Sequence, residues 1–514
     1  MTVATWAGIG SVLVLALLLG VVRPRRPTGV EQFYLAARAV PTWRNGAAIS
    51  SESTSAATCL GVAGLIATHG PQMFWYPIGA AAGFVVLLAL VVAPLRRSGT
   101  FTVPDFAQWR LGSPALRRVT TCLVLAVGVV YLVAQFHAAA VMVGLLMGLP
   151  AWGGWALVAG PAVVVALAGG MGSVTRVQSG QFWLKFVLFA GCAVVLWCTW
   201  WIAPRPRPYR FTGFVAPDDP ALPGIVTILL ACALGTMGLP QVVARVYTAP
   251  HGRAARRSIV AAQVLLGGFL LLPPLYGILG RAHVPPEAAG ADGIVLLLPS
   301  VMAPGPVGDV LTGLLAAAAF AAFLATSCGV LAAVAGAVSS CVAAPGVGSF
   351  RAAVGGVTVL ALLVTAATSP GSSVVLVLVG FSLSAATFCP LLVLGIWWRR
   401  LTDVGVAAGF VAGGGATVLL VGAGAVGLNA GLATACPVAV AVPLSFAVMV
   451  VISLVTPGRV PGDAEVSLVR MHQPDDRSSL RGGRSSLGHS PYVDDYRPLV
   501  ELWGKRVSRP RSRP

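Results

Sequence analysis

Apolar runs of about 20 residues follow one another down nearly the whole of this chain, and that succession leaves few folds open. A run of that length spans the hydrocarbon layer of a bilayer when helical, because a helix satisfies its own backbone groups where no water can. The runs fall at approximately 5–22, 46–69, 73–95, 119–147, 152–171, 181–203, 223–244, 258–280, 309–340, 352–369, 373–396, 404–425 and 433–455. The expected structure is an all-α integral membrane protein of about thirteen transmembrane helices. A composition that is 57% hydrophobic and 10% charged, with a mean hydropathy of +0.86, agrees with a chain solvated by lipid.

The formal net charge of +18 would suit nucleic acid if it were gathered on one surface. Instead the arginines fall in short clusters between apolar runs, the pattern of cytoplasmic loops, so no nucleic-acid partner is expected. Arg23–Arg26, Arg96–Arg118, Arg176, Arg245–Arg257, Arg351, Arg399–Arg400 and the tail share one side if the N-terminus lies outside. That arrangement fits a multi-pass protein of the cell membrane with a cytoplasmic C-terminal tail. Arg205–Arg210 and Arg281 fall on the other side, and Arg176 and Lys185 read as side chains snorkelling from a helix end. The first run precedes its arginines, the reverse of a secretory signal, and reads as a retained helix. The nine cysteines stand singly and form no Cys-x-x-Cys pair, so neither a disulfide framework nor a zinc site is expected. From Pro457 to Pro514 the chain turns rich in Arg, Ser, Gly, Pro and Asp, which predicts a mostly disordered basic tail.

Glu52 breaks the apolar pattern. At bilayer depth an ionisable group costs roughly 2.5 kcal/mol or more, so Glu52 is expected to face a cavity or an ion path. Around it stand Ser50, Ser51, Ser53, Thr54, Ser55 and Thr58, hydroxyls that compete for backbone hydrogen bonds and favour an interrupted helix. The seventh run carries Gly235-Thr236-Met237-Gly238-Leu239-Pro240-Gln241, where two glycines and a proline predict a second break. About five helices separate the breaks, the spacing of an inverted repeat in which broken helices meet near the midplane and offer free carbonyls to solute and ion. Small residues also serve close helix packing, but packing gives no account of Glu52. Glu52, Thr54, Thr236, Met237 and Gly238 are the candidate cavity. Gln135, beside Tyr131 and His137, is a candidate wall, although a lone intramembrane Gln or His also serves as a bond between helices.

Three blocks carry a family resemblance. One is Phe33-Tyr34-Leu35-Ala36-Ala37-Arg38 with Asn45-Gly46 and Ser55-Ala56-Ala57-Thr58-Cys59-Leu60-Gly61. Another runs from Leu95 to Asp105, joined by Gly169-Gly170-Met171 and Thr175 to Gln178. The most specific is Gly235-Thr236-Met237-Gly238-Leu239-Pro240 with Arg245, Tyr247-Thr248 and Ala255-Arg256-Arg257-Ser258. With them the chain resembles the sodium:solute symporter family, nearest its acetate and monocarboxylate permease branch. The resemblance implies the leucine-transporter fold, with an extra helix and basic loop (1–30), two inverted repeats (31–222 and 223–402), two closing helices (403–456) and the tail (457–514). It also implies sodium-driven uptake by alternating access. The implied sodium ligands are backbone carbonyls near Ser50 and Ser53, the Ala322 carbonyl, and the side chains at Ala325 and Thr326, oxygen donors of the kind a hard cation takes.

Four positions depart from that pattern: Ala325 where a serine is common, Cys341 for an aspartate, Gln241 for a histidine, and Glu52 for a shorter aspartate. Ala325 removes one side-chain oxygen and leaves Thr326; Ser327 is expected to bond its own preceding turn. The expected function is cation-coupled symport of a short monocarboxylate such as acetate. Its alternatives are a proton in place of sodium, and a solute receptor that does not transport. No Gly-x-Ser-x-Gly turn, P-loop or His/Cys cluster suggests an enzyme, and no cofactor beyond the coupling ion is expected.

Overall fold

A computed structural model describes residues 2–21, 30–202, 222–285, 290–341, 346–368, 373–426 and 437–473. The ordered elements among them are helical, as a lipid-solvated backbone requires. The outer helix α1 (Thr2–Gly20) precedes the short α2 (Val30–Leu35), and the first core crossing is split into α3 (Thr42–Ser53) and α4 (Val62–His69), joined through a π-turn at Ala57–Gly61. Next come α5 (Trp75–Leu90), α6 (Val92–Ser98), α7 (Val103–Leu111), α8 (Pro114–Met147) and α9 (Ala151–Ile202). The second broken crossing is α10 (Leu222–Gly238) with α11 (Pro240–Tyr247), followed by α12 (Gly252–Leu270), α13 (Leu272–His283) and α14 (Gly290–Met302). The chain continues through α15 (Pro306–Ser340), α16 (Val347–Ala367), α17 (Ser373–Trp397), α18 (Asp403–Gly409), α19 (Gly415–Ala425), α20 (Pro437–Val455) and α21 (Ala464–His472).

Among the described residues, eleven helical runs are long and apolar enough to cross a membrane. They correspond to the expected thirteen once two local features are taken into account. The 52-residue α9 would be about 78 Å long if straight, but Gly169 and Gly170 leave helical geometry and fold it into two arms. A Cβ on Gly20 would lie 3.0 Å from Val165 and 3.1 Å from Val177, one on each arm, which a straight helix could not arrange. Gly170 has φ +55°, and a Cβ there would run into the Phe33 carbonyl and ring, so the turn requires glycine. The other feature is the α3–α4 crossing, whose two pieces are each too short to count as a span.

The centre of the molecule is α15, buried along almost its whole length and packed against α9, α1 and α8. Its many alanines let neighbouring backbones come close, the usual means of packing helices in lipid. The tail departs from expectation at its start. Pro457–Arg459 and α21 are ordered, with Met471 buried, its carbonyl accepting from Arg97 Nη1, and His472 packed on the Trp397 ring. An apolar face of Ala464, Leu468 and Met471 at helical spacing explains this, overlooked beside the polar composition that follows. The remainder of the tail, and Arg205–Arg210, lie outside the described residues.

Candidate functional site

The helix bearing Glu52 stops one residue after it. Thr54 leaves helical geometry (φ −90°, ψ 67°), and its hydroxyl bonds back to the Ser50 and Ser51 carbonyls at 2.9 and 3.1 Å. Ser53 Oγ donates to the Ile49 carbonyl and Thr58 Oγ1 to the Ser53 carbonyl, so hydroxyls take up acceptors around the break. In an unbroken helix the Ala56 amide would close onto the Glu52 carbonyl. Instead it donates to Gln135 Oε1 at 3.0 Å, while the Glu52 carbonyl accepts from Thr326 Oγ1 of α15 at 3.0 Å. The second break falls at Leu239 (φ −57°, ψ 121°), between Gly238 and Pro240, and the Gly235 carbonyl accepts from Ser384 Oγ at 2.9 Å.

The two broken crossings meet through charge. Arg245, on α11, directs Nε to Glu52 Oε2 at 3.3 Å, Nη1 to Thr175 Oγ1 at 2.6 Å and Nη2 to Gln178 Oε1. Gln178 in turn donates to the Ala325 carbonyl at 2.8 Å, tying the pair to α15. Lys185 donates to the Ser51 carbonyl at 2.6 Å and the Thr54 carbonyl at 3.0 Å. Thr175, Gln178 and Lys185 sit at i, i+3 and i+10 on the second arm of α9, one face of that helix turned toward the break. Glu52, Arg245 and Lys185 are all buried, and Glu52 Oε1 has no hydrogen-bond partner among the described residues.

Glu52, Ser53, Ser55 and Thr58 from the first break and Thr236, Leu239 and Gln241 from the second line one small cavity. Tyr76, Tyr131 and Phe381 close it, with Phe381 edge-on to both tyrosine rings at centroid distances of 6.4 and 5.9 Å. Its volume is about 20 Å³, about enough for one water, so this conformation is nearly closed.

Of the residues read from sequence, Glu52, Ser53 and Thr236 reach the cavity. Thr54 turns back on its own helix, and Met237 and Gly238 are buried beside the break without lining the cavity. Gln135 does not line it either; its place is the bond to Ala56, and His137 Nε2 pairs with Thr368 Oγ1 at 3.0 Å. Ser327 makes no intrahelical bond, since its buried hydroxyl has no partner among the described residues. Two charged residues were misplaced by charge-pattern reasoning. Arg245 sits in the Glu52 cluster instead of a loop, and Lys185 is fully buried on carbonyls instead of snorkelling to the interface. A polar stripe at helical spacing inside an apolar run was the available signal for Thr175, Gln178 and Lys185.

Two of the oxygens implied for sodium, the Ser50 and Ser53 carbonyls, already accept hydrogen bonds from side chains of the break. The Ser50 carbonyl accepts from the Thr54 amide and hydroxyl and the Ser53 carbonyl from Thr58; the Ala325 carbonyl, which is not one of the implied oxygens, accepts from Gln178. Thr326 spends its proton on the Glu52 carbonyl, Ala325 offers no side-chain oxygen, and Ala322 is buried on the same helix. Among the described residues no group of His, Cys, Asp and Glu could hold a metal ion.

The profile of the sodium:solute symporter family matches residues 33–200 and 216–413. The monocarboxylic acid transporter of Corynebacterium glutamicum is 28% identical over 434 residues, 76% of this chain and 78% of the relative. An uncharacterized symporter of Bacillus subtilis, YwcA, is 27% identical over 421 residues, 78% of this chain and 82% of its own. Among solved structures, a Na⁺-coupled sialic acid symporter in a substrate-bound outward-open state superposes with a TM-score of 0.69 at 14% identity, over 88% of this chain and 97% of that one. Mhp1, a nucleobase-cation-symport-1 family transporter in a closed conformation, gives 0.55 at 12% identity, over 85% and 97%. The fold is that of the leucine-transporter type, and with the family profile matching most of its length, the chain belongs to the sodium:solute symporter family.

Proposed function

We propose that the chain couples uptake of a short monocarboxylate, of the size of acetate or pyruvate, to a cation by alternating access. One observation carries the choice of solute. Two buried cations, Arg245 and Lys185, meet a single buried carboxylate, Glu52, beside a cavity lined by hydroxyls and aromatic rings. A singly charged carboxylate entering that cavity balances the excess positive charge, which a neutral solute would leave uncompensated at high cost in low dielectric. The relative from C. glutamicum, a monocarboxylic acid transporter, supports the same class. We read residues 31–222 and 223–402 as the two repeats that move against each other around the breaks, with the N-terminus outside and the tail cytoplasmic. The nearly closed cavity suits an intermediate between facing states.

Sodium is the cation that the family's name implies. The proton is the second reading, favoured by Glu52 Oε1, a carboxylate oxygen beside the cavity with no hydrogen-bond partner among the described residues.

The test is uptake of labelled acetate, pyruvate and propionate into proteoliposomes, with sodium and proton gradients imposed separately and Glu52→Gln beside the wild type. Gradient-driven uptake lost in Glu52→Gln is the expected result. Saturable binding without flux would instead indicate a receptor, and normal uptake by Glu52→Gln would remove that residue from the mechanism.

A further inference from the structure

Lys185 is the least expected side chain in the molecule. Its arm of α9 is apolar, it is fully buried, and a lysine in hydrocarbon normally extends to the interface. Here the ammonium ends on two backbone oxygens of the interrupted crossing, Ser51 at 2.6 Å and Thr54 at 3.0 Å. The Ser51 carbonyl loses its helical partner at the break, because that partner would have been the amide of Ser55, past the end of α3, and it also accepts from the Thr54 hydroxyl. A broken helix exposes carbonyls that need a cation or a donor, and in this chain a side chain brings both.

We propose that the ε-ammonium of Lys185, held by the Ser51 and Thr54 carbonyls, is the resident cation of the first broken helix, so that solute binding and uptake by this chain do not require sodium. The proposal rests on the transport reading above and, of its two coupling ions, leaves the proton.

Three observations converge on it. The Ser50 and Ser53 carbonyls implied for sodium already accept from the Thr54 and Thr58 hydroxyls, and the position that would add a side-chain oxygen is Ala325. Among the described residues, the ionisable groups that interact with the ammonium are Cys59 on the π-turn and Glu52 on α3, so Glu52 is the one carboxylate among them. Glu52 already faces Arg245, so a sodium ion would enter as a third positive charge against one carboxylate. Finally, Ser51, whose carbonyl holds the ammonium, keeps a buried hydroxyl with no hydrogen-bond partner among the described residues.

The full-length protein in proteoliposomes supplies the test, with labelled pyruvate as probe and protein-free vesicles as blank. Pyruvate exchange with equal sodium-free choline buffer on both sides establishes transport. No saturable exchange of pyruvate, acetate or propionate in either choline or sodium buffer would overturn the transport reading, and this proposal with it. Given exchange, the expected result is a rate equal within twofold in choline and in sodium, and uptake unmoved by an inward sodium gradient. Stimulation of tenfold or more by sodium, saturable and not reproduced by choline or potassium, would overturn the proposal and leave transport standing. A second measurement needs no flux: the unfolding temperature of the purified protein is expected to be the same in sodium chloride and in choline chloride at equal ionic strength. A saturable, sodium-specific rise would overturn it, because a ligand that binds the folded state stabilises it. Lys185→Arg, which keeps the charge, should retain sodium-free exchange, whereas Lys185→Met should lose it tenfold or more. Wild-type exchange by Lys185→Met in choline would show that the ammonium is not needed and would also overturn the proposal.

Discussion

Glu52→Gln keeps the shape of the side chain and removes its charge, so its cost measures what the carboxylate does for Arg245. At the observed 3.3 Å, two unit charges attract by about 5 kcal/mol at an effective dielectric of 20. Removing one partner of a buried pair costs about 3–5 kcal/mol, because the other is left charged and uncompensated. The glutamine oxygen can still accept from Arg245 Nε, returning about 1 kcal/mol, and the guanidinium keeps Thr175 and Gln178. The expected loss is therefore about 3 kcal/mol. Arg245→Met strands Glu52 instead and should cost a similar amount, while the double variant strands neither. Its cost should be about 3 kcal/mol, well short of the sum of the singles. Equilibrium unfolding of the four proteins in mixed detergent micelles gives the coupling energy directly. Single-variant costs that add to within about 0.5 kcal/mol would refute the pair as an energetic unit.

Gly329 faces the same cluster, and a Cβ there would lie 2.5 Å from Glu52 Cδ and closer still to Glu52 Oε1 and Gln178 Nε2. Gly329→Ala should therefore displace the carboxylate, costing about 1–3 kcal/mol and cutting solute uptake; a variant with wild-type stability and uptake would show that the cluster has slack. Away from the site, Asp292 of α14 accepts from the Ser373 amide at 2.8 Å and the Ser373 hydroxyl at 3.0 Å, capping α17 from another element. Asp292→Ala should lower stability by about 1–2 kcal/mol, most of it retained in a Ser373→Ala background because the amide bond persists there. Equal costs for the two single variants would mean that the hydroxyl bond, not the cap, carries the contact.

Much of this architecture is legible in the sequence because lipid makes a simple demand: each crossing must be a helix of about 20 apolar residues. Both breaks are legible for a related reason, since Ser50–Thr58 and Gly235–Pro240 are local chemistry that disfavours a helix wherever it stands. Partnership is not local. Arg245 and Glu52 are 193 residues apart, and the arginine stands near enough in sequence to the Arg253–Arg257 cluster to be counted with it. Lys185 follows an apolar stretch in which snorkelling and burial look alike, and only the oxygens opposite distinguish them. Gln135 shows the converse ambiguity. It is polar in an apolar run, as a ligand would be, yet its oxygen completes the backbone of the broken helix at Ala56.

A tethered cation also changes what the break can report. A diffusible ion held by broken-helix carbonyls links ion and solute, so solute affinity follows ion concentration by reciprocal coupling. An ammonium on α9 is present at a fixed effective concentration set by the fold. The carbonyls of Ser51 and Thr54 are then satisfied at every sodium concentration, and solute affinity loses its dependence on that ion. Lys185 thereby exchanges a regulatable ligand for a permanent one. If the lysine takes the place of the ion, a serine oxygen at position 325 would have no ion to serve, which agrees with the alanine found there.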